Sequence, residues 1–180
     1  SVLDVSGINI LVLSFVGILN VLVLLCWLFA LKNEEASIAV VFYQLVPVFG
    51  GVLGYFILGE ILNQRQIMAM FIIILGTTII SFEIDLDNKF KLRKRTIVPM
   101  LAAAFFWALG SVIFKMVALE ENLWRSLFWE HLMLVLVGVL IFIFIRSYRE
   151  NFLLAIKNNS KAILSLNFLN EFLYILGNIA

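Results

Sequence analysis

The sequence predicts an all-α integral membrane protein with six transmembrane helices, and two observations carry that reading. Of the 180 residues, 63% are hydrophobic and 14% are charged, against roughly 45–50% apolar and about 25% charged in a soluble domain. The apolar residues also come in runs near the length a bilayer demands. A core of about 30 Å, crossed at 1.5 Å per helical residue, needs roughly 20 residues. The runs are 8–31, 36–58, 66–82, 97–119, 127–145 and 162–180. They are too long and too evenly apolar for barrel strands, which alternate with period two. A helix also satisfies its own backbone in oil.

The first run holds one polar side chain well inside it, Asn20, for which a helix–helix hydrogen bond is expected. Cys26 is the only cysteine, so no disulfide or thiolate metal site forms within this chain. The second run carries Pro47, which removes a backbone donor and bends or loosens the helix. Gly50, Gly51 and Gly54 follow at helical spacing, and Gly50-x-x-x-Gly54 is a small-residue contact motif. Tyr43 and Gln44 precede the proline. This surface suits a packing seam or a cavity wall, packing being the safer half. The third run is the shortest and is expected to stand nearly upright. The fourth offers Trp107, Ser111 and Lys115 in steps of four, beside Ala103, Ala104 and Gly110. Lys115 lies about 6 Å from the end of its run by helical rise, close enough for its stem to snorkel to the headgroups.

Glu60 ends the second run and Glu130–His131 begin the fifth, all expected near an interface where charge is tolerated. His131 is the only histidine and has no partner at metal-ligand spacing, so no metal site is expected. The sixth run is the most informative. Asn167, Asn170, Glu171, Tyr174 and Asn178 recur at i, i+3, i+4, i+7 and i+11 and share one helix face. A carboxylate at the bilayer centre costs about 2.5–3.5 kcal/mol even on a mild insertion scale, so this face is expected to look toward partner helices or water. It reads as a substrate pathway, with a polar inter-helix seam and an amphipathic interfacial helix as the alternatives.

The connections alternate in character. Residues 32–35 and 59–65 are expected as tight turns, 83–96 and 146–161 as long polar loops. Ten cations fall on one side: Lys32, Lys89, Lys91, Arg93, Lys94, Arg95, Arg146, Arg149, Lys157 and Lys161. Arg65 and Arg125 fall on the other. The positive-inside rule places the ten in the cytoplasm and the chain's N-terminus outside. The basic half of 83–96 could bind anionic lipid; a solvated linker that sets orientation is the plainer reading. The chain starts at Ser1, has Asp4 and no cation ahead of its first run, and stops at Ala180 within an apolar stretch. It is expected to be an internal piece of a longer protein without a signal peptide.

One segment is more specific. Phe29-Ala30-Leu31-Lys32, Glu35-Ala36-Ser37-Ile38, Leu45-Val46-Pro47-Val48-Phe49, Gly59-Glu60 and Gln66 through Leu75-Gly76 resemble, in order and spacing, the EamA-type proteins of the drug/metabolite transporter superfamily. Beyond them, Phe106-Trp107-Ala108 and Lys115 resemble the opening helix of that family's second repeat. The resemblance implies a ten-helix, two-repeat transporter bundle. Residues 1–82 would be the last three helices of the first repeat, 83–96 the inter-repeat loop, and 97–180 the first three helices of the second. It also implies a cavity lined by the first, second, fourth and sixth runs here. The family's usual arrangement puts the inter-repeat loop outside, opposite to the charge count; the charge count is local and lopsided and is preferred.

The expected function is a secondary transporter or exporter of a small metabolite or drug, working by alternating access around a midplane site. Glu171 is the expected titrating or substrate-contacting group. Asn167, Asn170 and Tyr174 would orient the ligand, and Tyr43, Gln44 and Trp107 would complete the wall. A non-transporting scaffold or assembly subunit is the main alternative and a lipid flippase component a further one. No nucleophile–base pair, carboxylate pair or phosphate loop points to an enzyme, and no cofactor is expected. The expected partners are a small-molecule substrate and membrane lipid, at a cell membrane of prokaryotic type. Self-association as a homodimer is compatible with this; nucleic acid is not, since no Lys/Arg stripe interleaves with aromatics.

Overall fold

A computed structural model describes residues 5–32, 36–80, 82–84, 90–92 and 94–179, with the side chains at 37, 38, 82–84, 90–92, 94 and 177–179 outside the description. The described residues form two compact units, Ser1–His131 and Leu132–Ala180.

The first unit is organised on two long helices, α1 (Gly7–Leu31) and α5 (Lys94–Glu120). Ser6 caps α1, its Oγ accepting from the Asn9 N–H at 3.2 Å, which satisfies one of the donors a helix start leaves unpaired. Leu13, Val16, Leu19 and Val23 form the buried stripe of α1, and Ala103, Ala104, Ala108, Val112, Phe114 and Val117 that of α5. The two helices run antiparallel. Ser6 meets Glu121 at one end (3.2 Å), Gly110 faces Val16, Leu19 and Asn20 midway, and Ala30 packs with Met100 at the other end. Small side chains on α5 let the backbones approach, as association in lipid requires.

The second run is not one helix. It divides into α2 (Ala36–Tyr43) and α3 (Val46–Leu58), separated by a turn at Gln44 and Leu45. Pro47 has no N–H to offer the Tyr43 carbonyl, and the chain breaks one turn ahead of it. Gln44 and Leu45 donate instead to Val41 and Phe42, three residues back, both at 3.2 Å. The expected loosening at Pro47 is thus a full interruption. The Gly50/Gly54 motif makes no helix seam among the described residues: nothing stands within 4 Å of where a Gly50 side chain would begin, and Gly54 faces the Glu60 carboxylate. Gly51 is the close contact instead, its bare face filled by the Met70 thioether end of α4 (Gln64–Ile80). α3 stops at Gly59, whose φ of +69° suits a residue without Cβ.

α4 starts with a reciprocal cap. Asn63 N–H donates to Gln66 Oε1 (2.8 Å) and Gln66 N–H to Asn63 Oδ1 (2.9 Å), the capping-box arrangement. Its hydroxyls are hidden against its own backbone, Thr77 on the Ile73 carbonyl (2.9 Å) and Thr78 on that of Ile74 (2.7 Å). Ile67, Phe71, Ile72, Leu75 and Ile79 are exposed, as a lipid-facing helix would have them.

The polar break after α4 is more ordered than a plain loop. β1 (Phe82–Ile84) and β2 (Phe90–Leu92) pair antiparallel, Phe82 opposite Leu92 and Ile84 opposite Phe90. Each segment alternates apolar, charged, apolar, the period-two pattern of a strand. The turn at 33–35 and the charged residues Asp85, Asp87, Lys89 and Arg93 lie outside the described residues.

α6 (Leu123–Phe144) follows α5 after a two-residue turn. In the second unit, α7 (Arg146–Ile179) begins one residue after α6 ends and is bent at Asn159 (φ −137°, ψ 32°). The expected loop at 146–161 is therefore helix. Tyr148, Phe152 and Ile156 recur every fourth residue and make an apolar stripe, and Arg146 and Glu150 pair across a turn at 2.7 Å; the charges on the other face disguised it. Phe152 packs edge-on against Phe142 of α6 (5.8 Å between centroids).

Four helical stretches among the described residues are long and apolar enough to span a membrane: Gly7–Leu31, Ala39–Leu58, Arg95–Glu120 and Leu123–Phe144. Gln64–Ile80 is a shorter apolar helix. The expected span at 162–180 is the latter part of α7, whose last residue lies outside the described set, and it is not among the four.

Candidate functional site

The break between α2 and α3 places Tyr43 between two tryptophans. Its ring meets Trp27 of α1 edge-on (5.3 Å between centroids, 78°) and Trp107 of α5 at a tilt (6.2 Å, 60°). The three rings link α1, α2 and α5 at the level of the unwound turn, where edge-on contacts add to apolar burial. Two of the expected wall residues, Tyr43 and Trp107, are thus brought together, and both are half-buried. Gln44 is exposed in the turn beside them. Trp27 was missed by sequence reasoning; its only signal was an aromatic one turn before the Lys32 end of α1.

A second polar locus lies between α3 and α4. A cleft of about 300 Å³ is lined by Pro47, Gly50, Gly51, Glu60, Gln66 and Met70, among others. Glu60 also pairs with Lys115 of α5, both partly exposed. The Lys115 ammonium ends on the Glu60 carboxylate, a partner the sequence reading did not give it.

The third locus is buried. Asn20 Nδ2 donates to Glu130 Oε1 at 2.7 Å, which is the expected helix–helix hydrogen bond of Asn20. Glu130 is 1% exposed, a carboxylate enclosed by protein, which the sequence reading did not anticipate. Ser126, one turn earlier on α6, is also fully buried, with no hydrogen-bond partner for its Oγ. His131 Nδ1 lies 2.8 Å from the Leu127 carbonyl and 4.0 Å from Glu130 Oε2.

At the far end of α1, Glu121 Oε1 accepts from Asn9 Nδ2 (2.7 Å) and from the Ser6 N–H (3.2 Å). The Asn9 and Ser6 hydrogen bonds, with help from the Arg125 charge, hold the Glu121 carboxyl below its ordinary value. A carboxylate whose folded value is lowered stabilises the fold at all pH above the ordinary carboxylate range and loses that contribution as pH falls through the lowered value. Asn9→Ala is therefore expected to lower the melting temperature at neutral pH and to have a smaller effect in acid, where Glu121 is protonated in both proteins. An equal loss at both pH values would show that Asn9 acts through packing alone.

In the second unit, Asn167, Asn170 and Glu171 are exposed on α7 and Tyr174 is half-buried. The Asn167 amide nitrogen donates to the Ile163 carbonyl of its own helix (2.8 Å), so one donor is already engaged. The Asn178 side chain lies outside the described residues. These groups share one helix as expected, and they belong to a different unit from Tyr43, Gln44 and Trp107.

Residues 2–82 match the model of the EamA-like transporter family. The chain carries an EamA-like transporter segment. It holds α1 through α4, and with them the broken helix, Tyr43, Gln44 and the Glu60 cleft. The chain is a multi-pass membrane protein, and its residues 2–82 are similar to a family of transporters. Neither a curated protein nor a solved structure matches it.

Proposed function

We propose that this EamA-like protein carries a small metabolite or drug across the membrane by alternating access, with Tyr43, Gln44 and Trp107 forming one wall of the substrate path. The observation that carries the reading is the unwound turn at Gln44–Leu45 inside the matched segment, with Tyr43 set between Trp27 and Trp107. Broken helices supply transporters with backbone polar groups at membrane depth, where an intact helix offers none. Aromatic faces suit apolar or cationic parts of a solute. The exposed Gln44 amide supplies both a donor and an acceptor.

The wider assignment is part of the proposal. Residues 1–82 are the closing helices of one repeat, 83–96 the inter-repeat loop, and 97–180 the opening helices of a second, within a ten-helix bundle that includes a sixth span over the latter part of α7. On that helix Asn167, Asn170, Glu171 and Tyr174 make a polar face whose carboxylate contacts substrate.

Cysteine substitution tests this in a Cys26→Ser background. At positions 43, 44 and 107, and separately at 167, 170 and 174, a membrane-impermeant maleimide should react in intact vesicles. Uniform protection would instead support a scaffold whose polar faces only join helices. Glu171→Gln in the full-length protein is expected to reduce uptake at least tenfold, and unchanged uptake removes Glu171 from the site.

A further inference from the structure

The Asn20–Glu130 locus does something the aromatic wall does not explain. Glu130 lies seven residues into α6, about 10 Å along the helix from Leu123, on a segment long and apolar enough to span the membrane. It is buried in protein rather than turned to lipid. A carboxyl in such a place is costly, and such groups mark ion and proton routes more often than they serve as glue.

Asn20, Ser126 and His131 stand about the carboxyl. Asn20 donates to Oε1 at 2.7 Å. Ser126 stands one turn away on the same face of α6, fully buried, its hydroxyl lacking a partner, as a group would be that serves a second state of its neighbour. His131 has a side chain 36% exposed, and its Nδ1 sits 4.0 Å from Glu130 Oε2. A carbonyl can only accept, so the 2.8 Å contact to Leu127 makes Nδ1 the protonated nitrogen and Nε2 the basic one. The other titratable or charged groups on the surrounding elements have their own engagements. On α5, Lys115 pairs with Glu60 and Glu120 lies 3.5 Å from Asn9. Arg125 on α6 interacts with Glu121. Cys26 lies further along α1, six residues beyond Asn20.

We propose that Glu130, held by Asn20 and flanked by Ser126, is an intramembrane proton-binding site loaded from water through His131. His131 Nε2 takes a proton from solvent, and the imidazolium turns Nδ1–H from the Leu127 carbonyl to Glu130 Oε2. The carboxylate receives that proton, leaving a neutral imidazole protonated at Nε2. Glu130 is then a carboxylic acid, able to donate to the Ser126 hydroxyl. The site goes beyond the transport reading and stands apart from it: proton binding needs no transported solute.

The test is pH-titrated infrared difference spectroscopy on the full chain in lipid nanodiscs, with protons as the only ligand. Wild type should show a carbonyl band of a protonated carboxyl growing in on acidification. Glu130→Gln should remove one component of that band, displaced from those of the exposed carboxyls, while Glu171→Gln keeps it. Asn20→Ala should move the titration midpoint by about one pH unit, a tenfold change in proton affinity. His131→Ala should keep the band but slow its appearance after a pH jump. A band unchanged in Glu130→Gln overturns the proposal. Should that variant fail to fold, Glu130→Asp and Asn20→Ala decide: midpoints identical to wild type overturn it. Because no solute is present, a protein that transports nothing can still pass this test, and an active transporter can still fail it.

Discussion

Gly110→Leu will separate α1 from α5 and destabilise the first unit by about 1–3 kcal/mol or more, the usual cost of forcing methylenes into a close-packed site. Gly110 is buried and faces Val16, Leu19 and Asn20 across the helix pair. A Cβ there would sit 3.7 Å from Val16 Cγ1 and 3.9 Å from both Leu19 Cβ and Asn20 Oδ1, ordinary contact distances. Gly110→Ala should therefore be nearly neutral, whereas the branched end of leucine has nowhere to go except between the helices. The damage should spread beyond stability, because the same seam positions Asn20 against Glu130 (2.7 Å) and sets Trp27 and Trp107 about Tyr43. Thermal unfolding in detergent, followed by tryptophan fluorescence, reads both effects. A leucine variant that melts with wild type, or an alanine variant that melts as low as leucine, would show that this seam is not where the helices meet.

The second large effect is one of gain against loss. Pro47→Ala returns an N–H to position 47, and the natural acceptor four residues back is the Tyr43 carbonyl. The turn at Gln44–Leu45, now closed by two 3.2 Å bonds to residues three back, can then rewind into a continuous helix from Ala36 to Leu58. Proline inside a helix costs about 3 kcal/mol relative to alanine. The break already relieves part of that, so a stabilisation of about 1 kcal/mol is expected, within the range such backbone changes give. Transport should fall at least tenfold, because rewinding withdraws the unpaired backbone and turns Gln44 off its present bearing. A variant that is both more stable and fully active would remove the broken helix from the proposed mechanism. One that is less stable would mean the turn is held by packing against Trp27, Phe42 and Met100 rather than by the missing donor.

Gly51 shows how far a motif can mislead. Gly50-x-x-x-Gly54 has the spacing of a helix-contact face, but the residue between them receives Met70, while Gly50 opens on the cleft and Gly54 faces Glu60. Spacing limits which glycines share a face; it does not say which neighbour arrives. The 146–161 stretch failed for a related reason. Its four cations and Glu150 outweighed a stripe of Tyr148, Phe152 and Ile156 that a periodicity count would have favoured.

What the sequence alone determined is the set of properties that depend on one segment at a time. A run of some twenty apolar residues must be helical in a bilayer because its backbone has no other partner. Proline at 47 interrupts its helix through a donor it lacks. The EamA resemblance is of the same kind, resting on residues close together in the chain. The buried proton site is of another kind. Asn20 and Glu130 stand 110 residues apart, and nothing local distinguishes Glu130 from a carboxylate at a helix entrance. Its burial follows from how α6 enters beside α1, and so does the orphaned hydroxyl of Ser126. A polar side chain's cost in a membrane is set by what lies opposite it, and only the folded chain decides what that is.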